Sequence, residues 1–208
     1  MDILITILSL IVLLFSVIIH ELAHGYVAYS LGDPTAKYAG RLTLNPLKHL
    51  DPFGSVILPL LLFIAGSPFV VGWARPVPIN PYNFKDQAWG GLKVSIAGPL
   101  TNIALALFFG LLIRIINISD FFTVVPGMLI VFSFIVQINI ILAIFNLIPI
   151  PPLDGSWILF KFIPYQFEYL KTFLSQYGIF ILIFLIFFGV LQGLGTVTGL
   201  LFGVITGM

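Results

Sequence analysis

Apolar residues in this chain come in long blocks, and the polar residues gather between them. Residues 3 to 19 are apolar apart from Thr6, Ser9 and Ser16. Helical sequence continues to about Leu31, where Gly32-Asp33-Pro34 ends it, since proline disfavours a helix at the residue before it. Mixed residues follow over 35–53. Their first part, to Leu44, alternates enough to suggest a short hairpin or extended strand; Asn45 to Phe53 is a proline-bounded turn. Residues 54–71 are apolar but interrupted by Gly54, Pro59, Gly66, Ser67 and Pro68. Their unbroken part falls short of the roughly 20 residues of a membrane span. Residues 72–88 form a proline-rich loop, expected to be extended. Two further helices are predicted, from about Gly91 to Ile116 and from about Val124 to Ile148. Pro149, Pro151 and Pro152 then unwind the chain before Asp154-Gly155. Residues 156–172 read as a partly polar connection. Residues 173–208 are apolar again and glycine-rich, either one long helix or a span followed by a second, looser one.

This pattern predicts an all-α polytopic membrane protein. We expect a bundle of about four to five transmembrane helices, a re-entrant segment over 54–71 and a small β-hairpin region near the cytoplasmic face. Composition agrees: 60% of the residues are hydrophobic and 8% charged, against about 25% charged in a soluble domain. The length suits a single membrane-embedded domain over 1–208, with its core over about 8–160 and a C-terminal transmembrane region over 173–208. The partner implied is the lipid bilayer; a formal net charge of +1 does not suggest nucleic acid. With no cysteine there is no disulfide framework, thiol nucleophile or thiolate metal site. Met1-Asp2 lacks the positive region of a signal peptide, so the first helix is expected to be retained.

Chemistry concentrates in one place. The chain has 3 His and 8 acidic residues, and His20, Glu21 and His24 put three of these groups within five positions of an apolar run. An ionisable residue at membrane depth costs about 2.5–3.5 kcal/mol on insertion scales and usually marks function. The pattern is H-E-x-x-H. Histidines four apart share one helix face and offer half of a tetrahedral Zn²⁺ site. Glu21, about 100° round the helix from His20, can reach a water at the metal without being a ligand, which is general-base geometry. Such a site needs a third protein ligand, and a carboxylate suits it. Asp154 is the acid presented on a stiff, broken segment beside an apolar helix. His49 and Asp51, in a loop near Lys48, read as structural or interfacial groups. Asn102, an amide at membrane depth, reads equally as an interhelical hydrogen bond or as a group facing the site.

Orientation follows from charge. Lys37, Arg41, Lys48, Arg75, Lys85 and Lys93 cluster around the 32–92 region, which the positive-inside rule places in the cytoplasm; Arg114 argues the other way. For His20 and Asp154 to meet at one depth, the first and third predicted helices must run in the same direction, so 91–116 crosses alone between them.

Together these residues resemble the site-2 protease family of intramembrane zinc metalloproteases. The resemblance rests on His20-Glu21-x-x-His24, Gly98-Pro99-x-x-Asn102 and Asn146-x-x-Pro149 with Leu153-Asp154-Gly155, and covers roughly residues 8–160. It implies a zinc-dependent endopeptidase of the short branch without PDZ or CBS domains, multi-pass in a prokaryotic cell membrane, with its active site toward the cytoplasm. It implies one Zn²⁺ per chain held by His20, His24 and Asp154, with Glu21 as catalytic base. Asn146 would position substrate or stabilise the oxyanion, with Asn102 a second candidate for that role. The partners implied are transmembrane protein substrates, which must unwind locally, for instance by pairing with an edge strand from 36–44 or 70–80. Oligomeric state is left open. Two rivals remain. A metal transporter predicts ionisable groups along a path across the membrane, and a catalytically inactive binder of membrane proteins predicts loss of Glu21 or of a ligand.

Overall fold

The computed structural model describes residues 3–57, 60–61, 64, 74–117 and 126–208. Seven α-helices are present among them: α1 (Ile3–Ser30), α2 (Thr35–Tyr38), α3 (Gly90–Asn117), α4 (Pro126–Asn146), α5 (Gly155–Phe162), α6 (Glu168–Phe187) and α7 (Gly193–Thr206). Four are long and apolar enough to cross a membrane, namely α1, α3, α4 and α6; α7 is a shorter apolar helix. The protein is an integral membrane protein.

Three of these helices make the scaffold, and their polar contacts fix their directions. Moving along α1, Ser16 meets Asn139 of α4, His20 meets Asn102 of α3, and His24 meets the Val94 carbonyl of α3. The α3 partners run backwards, so α3 is antiparallel to α1. Asp154, just beyond the end of α4, meets both histidines. Helices α1 and α4 therefore run the same way, as the sequence requires. At the opposite end of α3, Ala106 and Ile113 pack with Val136 and Ile140 of α4, and Phe202 and Ile205 of α7 cover them. Gly110 makes this possible, because a Cβ there would collide with the Ile205 side chain.

The glycine-rich C-terminal region is two helices. Gly189 adopts φ +69°, a left-handed conformation that costs glycine little, and a 3₁₀ turn over Val190–Gln192 separates α6 from α7. Helix α6 leaves Phe180, Ile183, Phe184 and Phe187 exposed, as a lipid-facing helix does. It is moored at the buried Leu182 and at Gly178, which lies against the Pro151 carbonyl.

Two expectations need correction. No hairpin forms over 35–44: residues Thr35–Tyr38 are helix α2, and no strand occurs among the described residues beyond an isolated antiparallel bridge between Leu50 and Ala74. The apparent alternation lost to a helix-start signal. The Asp33 carboxylate accepts hydrogen bonds from the Thr35 N–H and hydroxyl, which turns the chain into a helical path as side-chain caps do. The re-entrant segment is likewise unsupported. Its described start continues a π-helical turn over Pro52–Ile57, and most of 54–71 lies outside the described residues.

Asp33 does more than start α2. It is wholly buried and also accepts from the Asn80 N–H and the Asn83 amide. These bonds tie the 80–83 turn to the end of α1, where Phe84 packs on Ala28 and Val94. Burial alone would push the Asp33 carboxyl up, but the donors from Thr35, Asn83 and Asn80 outweigh it and hold it below the usual carboxylate range. A carboxylate lowered on folding adds stability above its unfolded pKa and loses it as pH falls through the folded one. Asp33→Asn is thus expected to destabilise the protein by about 2 kcal/mol at pH 7. The deficit should shrink below about pH 4, as read by thermal unfolding in detergent at several pH values.

Candidate metal centre

His20 and His24 stand one turn apart on α1, both buried, with ring centroids 4.6 Å and Nε2 atoms 3.0 Å apart. The Asp154 Oδ2 lies 3.1 Å from the His20 Nε2 and 3.3 Å from the His24 Nε2. Asp154 comes from the unwound chain after α4. It occupies the N-cap position of α5 but makes no capping hydrogen bond, so its carboxylate is free to face the histidines.

The outer nitrogens decide what this cluster holds. The His24 Nδ1 is 2.7 Å from the Val94 carbonyl oxygen, and the His20 Nδ1 is 2.5 Å from the Asn102 Oδ1. Both partners are acceptors, so the hydrogen-bond network assigns the proton of each neutral imidazole to Nδ1. Each Nε2 then offers a bare lone pair. The Asp154 Oδ2 is buried without a hydrogen-bond partner. Three acceptors thus lie within 4.8 Å of one another with no proton among them. Two imidazoles and a carboxylate are a familiar donor set for zinc, and a cation is what this arrangement lacks. The residues fit a Zn²⁺ ion.

Helix α3 supplies the room. A Cβ on Gly98 would sit 2.5 Å from the His20 Cε1 and from the Nε2 of each histidine. Only glycine lets the α3 backbone pass so close behind the pair. Pro99, inside the helix, has no N–H to give the Ser95 carbonyl, and Ser95 lines the same cavity.

That cavity has a volume of about 270 Å³ and is lined by both histidines, Asp154, Glu21, Asn146 and Trp157, among others. Glu21 is half-buried, and its Oε2 accepts a 2.8 Å hydrogen bond from the Val77 N–H. Asn146, the last residue of α4, gives one amide hydrogen to the Leu142 carbonyl at 2.9 Å. Asn102 is elsewhere: it is fully buried behind His20 and does not line the cavity. His49 and Asp51 lie outside the cluster. His49 is buried against the Thr43 carbonyl, and Asp51 accepts from the N–H groups of Phe53 and Gly54. Among the described residues, His20, His24 and Asp154 are the only potential metal-binding group. Sequence reasoning missed Val77, Val94 and the role of Gly98. Val77 and Val94 act through backbone atoms, which residue type does not reveal; Gly98 was visible as part of the Gly98-Pro99-x-x-Asn102 motif, which does not reveal its contact with the histidines.

Fold and site together define a membrane-embedded metalloenzyme with two histidines, one carboxylate and an adjacent glutamate. Comparison with known proteins makes the class specific. The Peptidase family M50 model matches residues 112–188. The chain is 43% identical over 181 residues to "Putative zinc metalloprotease YwhC" of Bacillus subtilis, covering 86% of this chain and 78% of that protein. It is 34% identical over 168 residues to "Putative zinc metalloprotease MJ0611" of Methanocaldococcus jannaschii, covering 76% and 72%. It is 32% identical over 142 residues to "Putative zinc metalloprotease Rip2" of Mycobacterium tuberculosis, covering 68% and 52%. No solved structure matches significantly. The chain belongs to the M50, or site-2 protease, family and is a zinc metalloprotease.

Because Gly98 has no spare space, Gly98→Ala is expected to displace the histidines and lower zinc content at least tenfold. Metal analysis of the purified protein checks this, with circular dichroism to confirm that the helices persist.

Proposed function

We propose that this protein is an intramembrane protease, hydrolysing peptide bonds within or near transmembrane segments of other membrane proteins. The observation that carries this reading is the convergence of His20, His24 and Asp154 with Glu21 in one cavity. That cavity sits beside α1, where α3 begins and α4 ends. His20, His24 and Asp154 hold the metal. Bound Zn²⁺ supplies Lewis-acid polarisation of the peptide carbonyl and acidifies the attacking water. The Val77 N–H fixes the Glu21 carboxylate through Oε2, leaving Oε1 to take the water's proton and pass it to the leaving amide nitrogen. Asn146 has a second amide hydrogen beyond the one given to Leu142, and this donor serves the carbonyl oxygen as it gains negative charge.

The basic residues fall at the metal end of the bundle. Arg41 and Arg75 lie beside the segment that carries Val77, while Arg114 is at the opposite end near the Val204 carbonyl. The positive-inside rule then turns the active site toward the cytoplasm, in a prokaryotic cell membrane like that of the bacterial and archaeal relatives. Substrate pairing with an edge strand finds little support. Residues 35–38 are helical, 70–73 lie outside the described residues, and Pro76 and Pro78 have no N–H to donate. The N–H groups of Arg75, Val77 and Asn80 already serve His49, Glu21 and Asp33.

Glu21→Gln is expected to retain zinc while cleavage of single-span substrates in detergent falls by about 10²–10⁴-fold. Asp154→Ala is expected to lose zinc and activity together. A Glu21→Gln protein cleaving at the parent rate would remove Glu21 from the chemistry, and a fully zinc-loaded Asp154→Ala protein would remove Asp154 from the ligand set.

A further inference from the structure

We infer that Asn139 and Asn102 are positioning residues for the metal centre, forming a relay that fixes which nitrogen of His20 faces the ion. The inference rests on His20 being a ligand, as proposed above. The relay begins at a backbone oxygen. The Asn139 Nδ2 donates to the Ile135 carbonyl at 2.8 Å and to the Ser16 hydroxyl oxygen at 2.9 Å. A carbonyl only accepts, so Asn139 cannot turn its own oxygen that way without setting two acceptors against each other. Its Oδ1 is therefore directed at Asn102, whose Nδ2 donates to it at 2.6 Å. That in turn directs the Asn102 Oδ1 at the His20 Nδ1, 2.5 Å away. The Nδ1 must carry the proton, and the Nε2 lone pair is left for the metal.

Asn102 and Asn139 are fully buried and Ser16 nearly so, so water cannot substitute for any link. The two histidines thus differ. The proton of His24 is fixed directly by the Val94 carbonyl, a backbone group that no substitution removes. That of His20 depends on two side chains from two other helices. An amide can flip, and an Asn102 without Asn139 can present its NH₂ to His20. The imidazole then keeps its lone pair on Nδ1, and Nε2 carries the proton into the metal position.

The test compares aspartate with leucine at both positions in the full-length protein in detergent. Zinc affinity is read by competition with a chromophoric chelator, and stability by thermal unfolding. Asp at 102 still accepts from the His20 Nδ1, and Asp at 139 still accepts from the Asn102 Nδ2. Leucine does neither. We expect Asn102→Leu and Asn139→Leu to lose about 10–100-fold in zinc affinity, while Asn102→Asp and Asn139→Asp stay within about threefold of the parent. A purely structural role gives a different order. Buried Asp loses the donor bonds to Asn139, Ile135 and Ser16, so affinity would follow stability, with Asp no better than Leu. That outcome, or leucine variants that bind zinc like the parent, overturns the inference. If Asn102→Leu does not fold, the Asn139 pair decides alone. His20→Ala separates the two levels. Full zinc affinity in that variant refutes the ligand assignment itself, whereas zinc loss there beside normal binding in both leucine variants refutes only the relay.

Discussion

Two imidazole nitrogens and a carboxylate oxygen, none carrying a proton toward the others, are held within 3.3 Å of one another in a buried site. Such a cluster is unfavourable without a cation, because its acceptors face one another with no donor between them. Much of the architecture serves to enforce it. The α1 helix stacks the histidines, Gly98 lets α3 pass behind them, and the proline-rich break after α4 returns Asp154 to their depth. With the ligand set proposed above, a bound cation would relieve this repulsion, and its binding would add to the stability of this part of the bundle.

The polar groups around this point divide into two sets on opposite sides of the histidine pair. On the cavity side are Glu21, held by the Val77 N–H, and Asn146, which lines the cavity. On the far side are Ser16, Asn102 and Asn139, which never meet the cavity. The loop that carries Val77 is tied down by Arg41 on the Arg75 carbonyl and by Asp33 on Asn80. Glu21 is therefore aimed by a tether outside the helical bundle, and the histidines by the bundle itself. The 74–80 segment thus holds Glu21 through a contact that the histidines do not share.

Much of this was legible in the sequence. The spans α1, α3 and α4 follow from long, largely apolar blocks, and the H-E-x-x-H spacing fixes the relation between His20 and His24 because helical geometry is local. Asp154 was reachable by elimination, since few acids compete. The hairpin over 35–44 was misjudged because Asp33 was read only as a helix stop, whereas its carboxylate organises the next turn as well. Helix α5, with eight residues, was too short for periodicity to show. Asn102 could not be resolved from type alone, for a buried amide serves helix packing and ligand positioning with the same two atoms. Here it does both, donating to Asn139 and accepting from His20.

That double use has a physical reason. In a soluble metalloenzyme, water or a nearby carboxylate can satisfy the outer nitrogen of a ligating histidine. At membrane depth water is scarce, and each added charge costs about 2.5–3.5 kcal/mol on insertion scales. A neutral amide avoids that cost, but it has a donor end and an acceptor end and must be prevented from turning over. A second amide, itself locked on a helix carbonyl, supplies this without introducing charge. The price is dependence: the tautomer of His20 is only as secure as the packing of α3 against α4, which joins the folding of the bundle to the chemistry of its metal site.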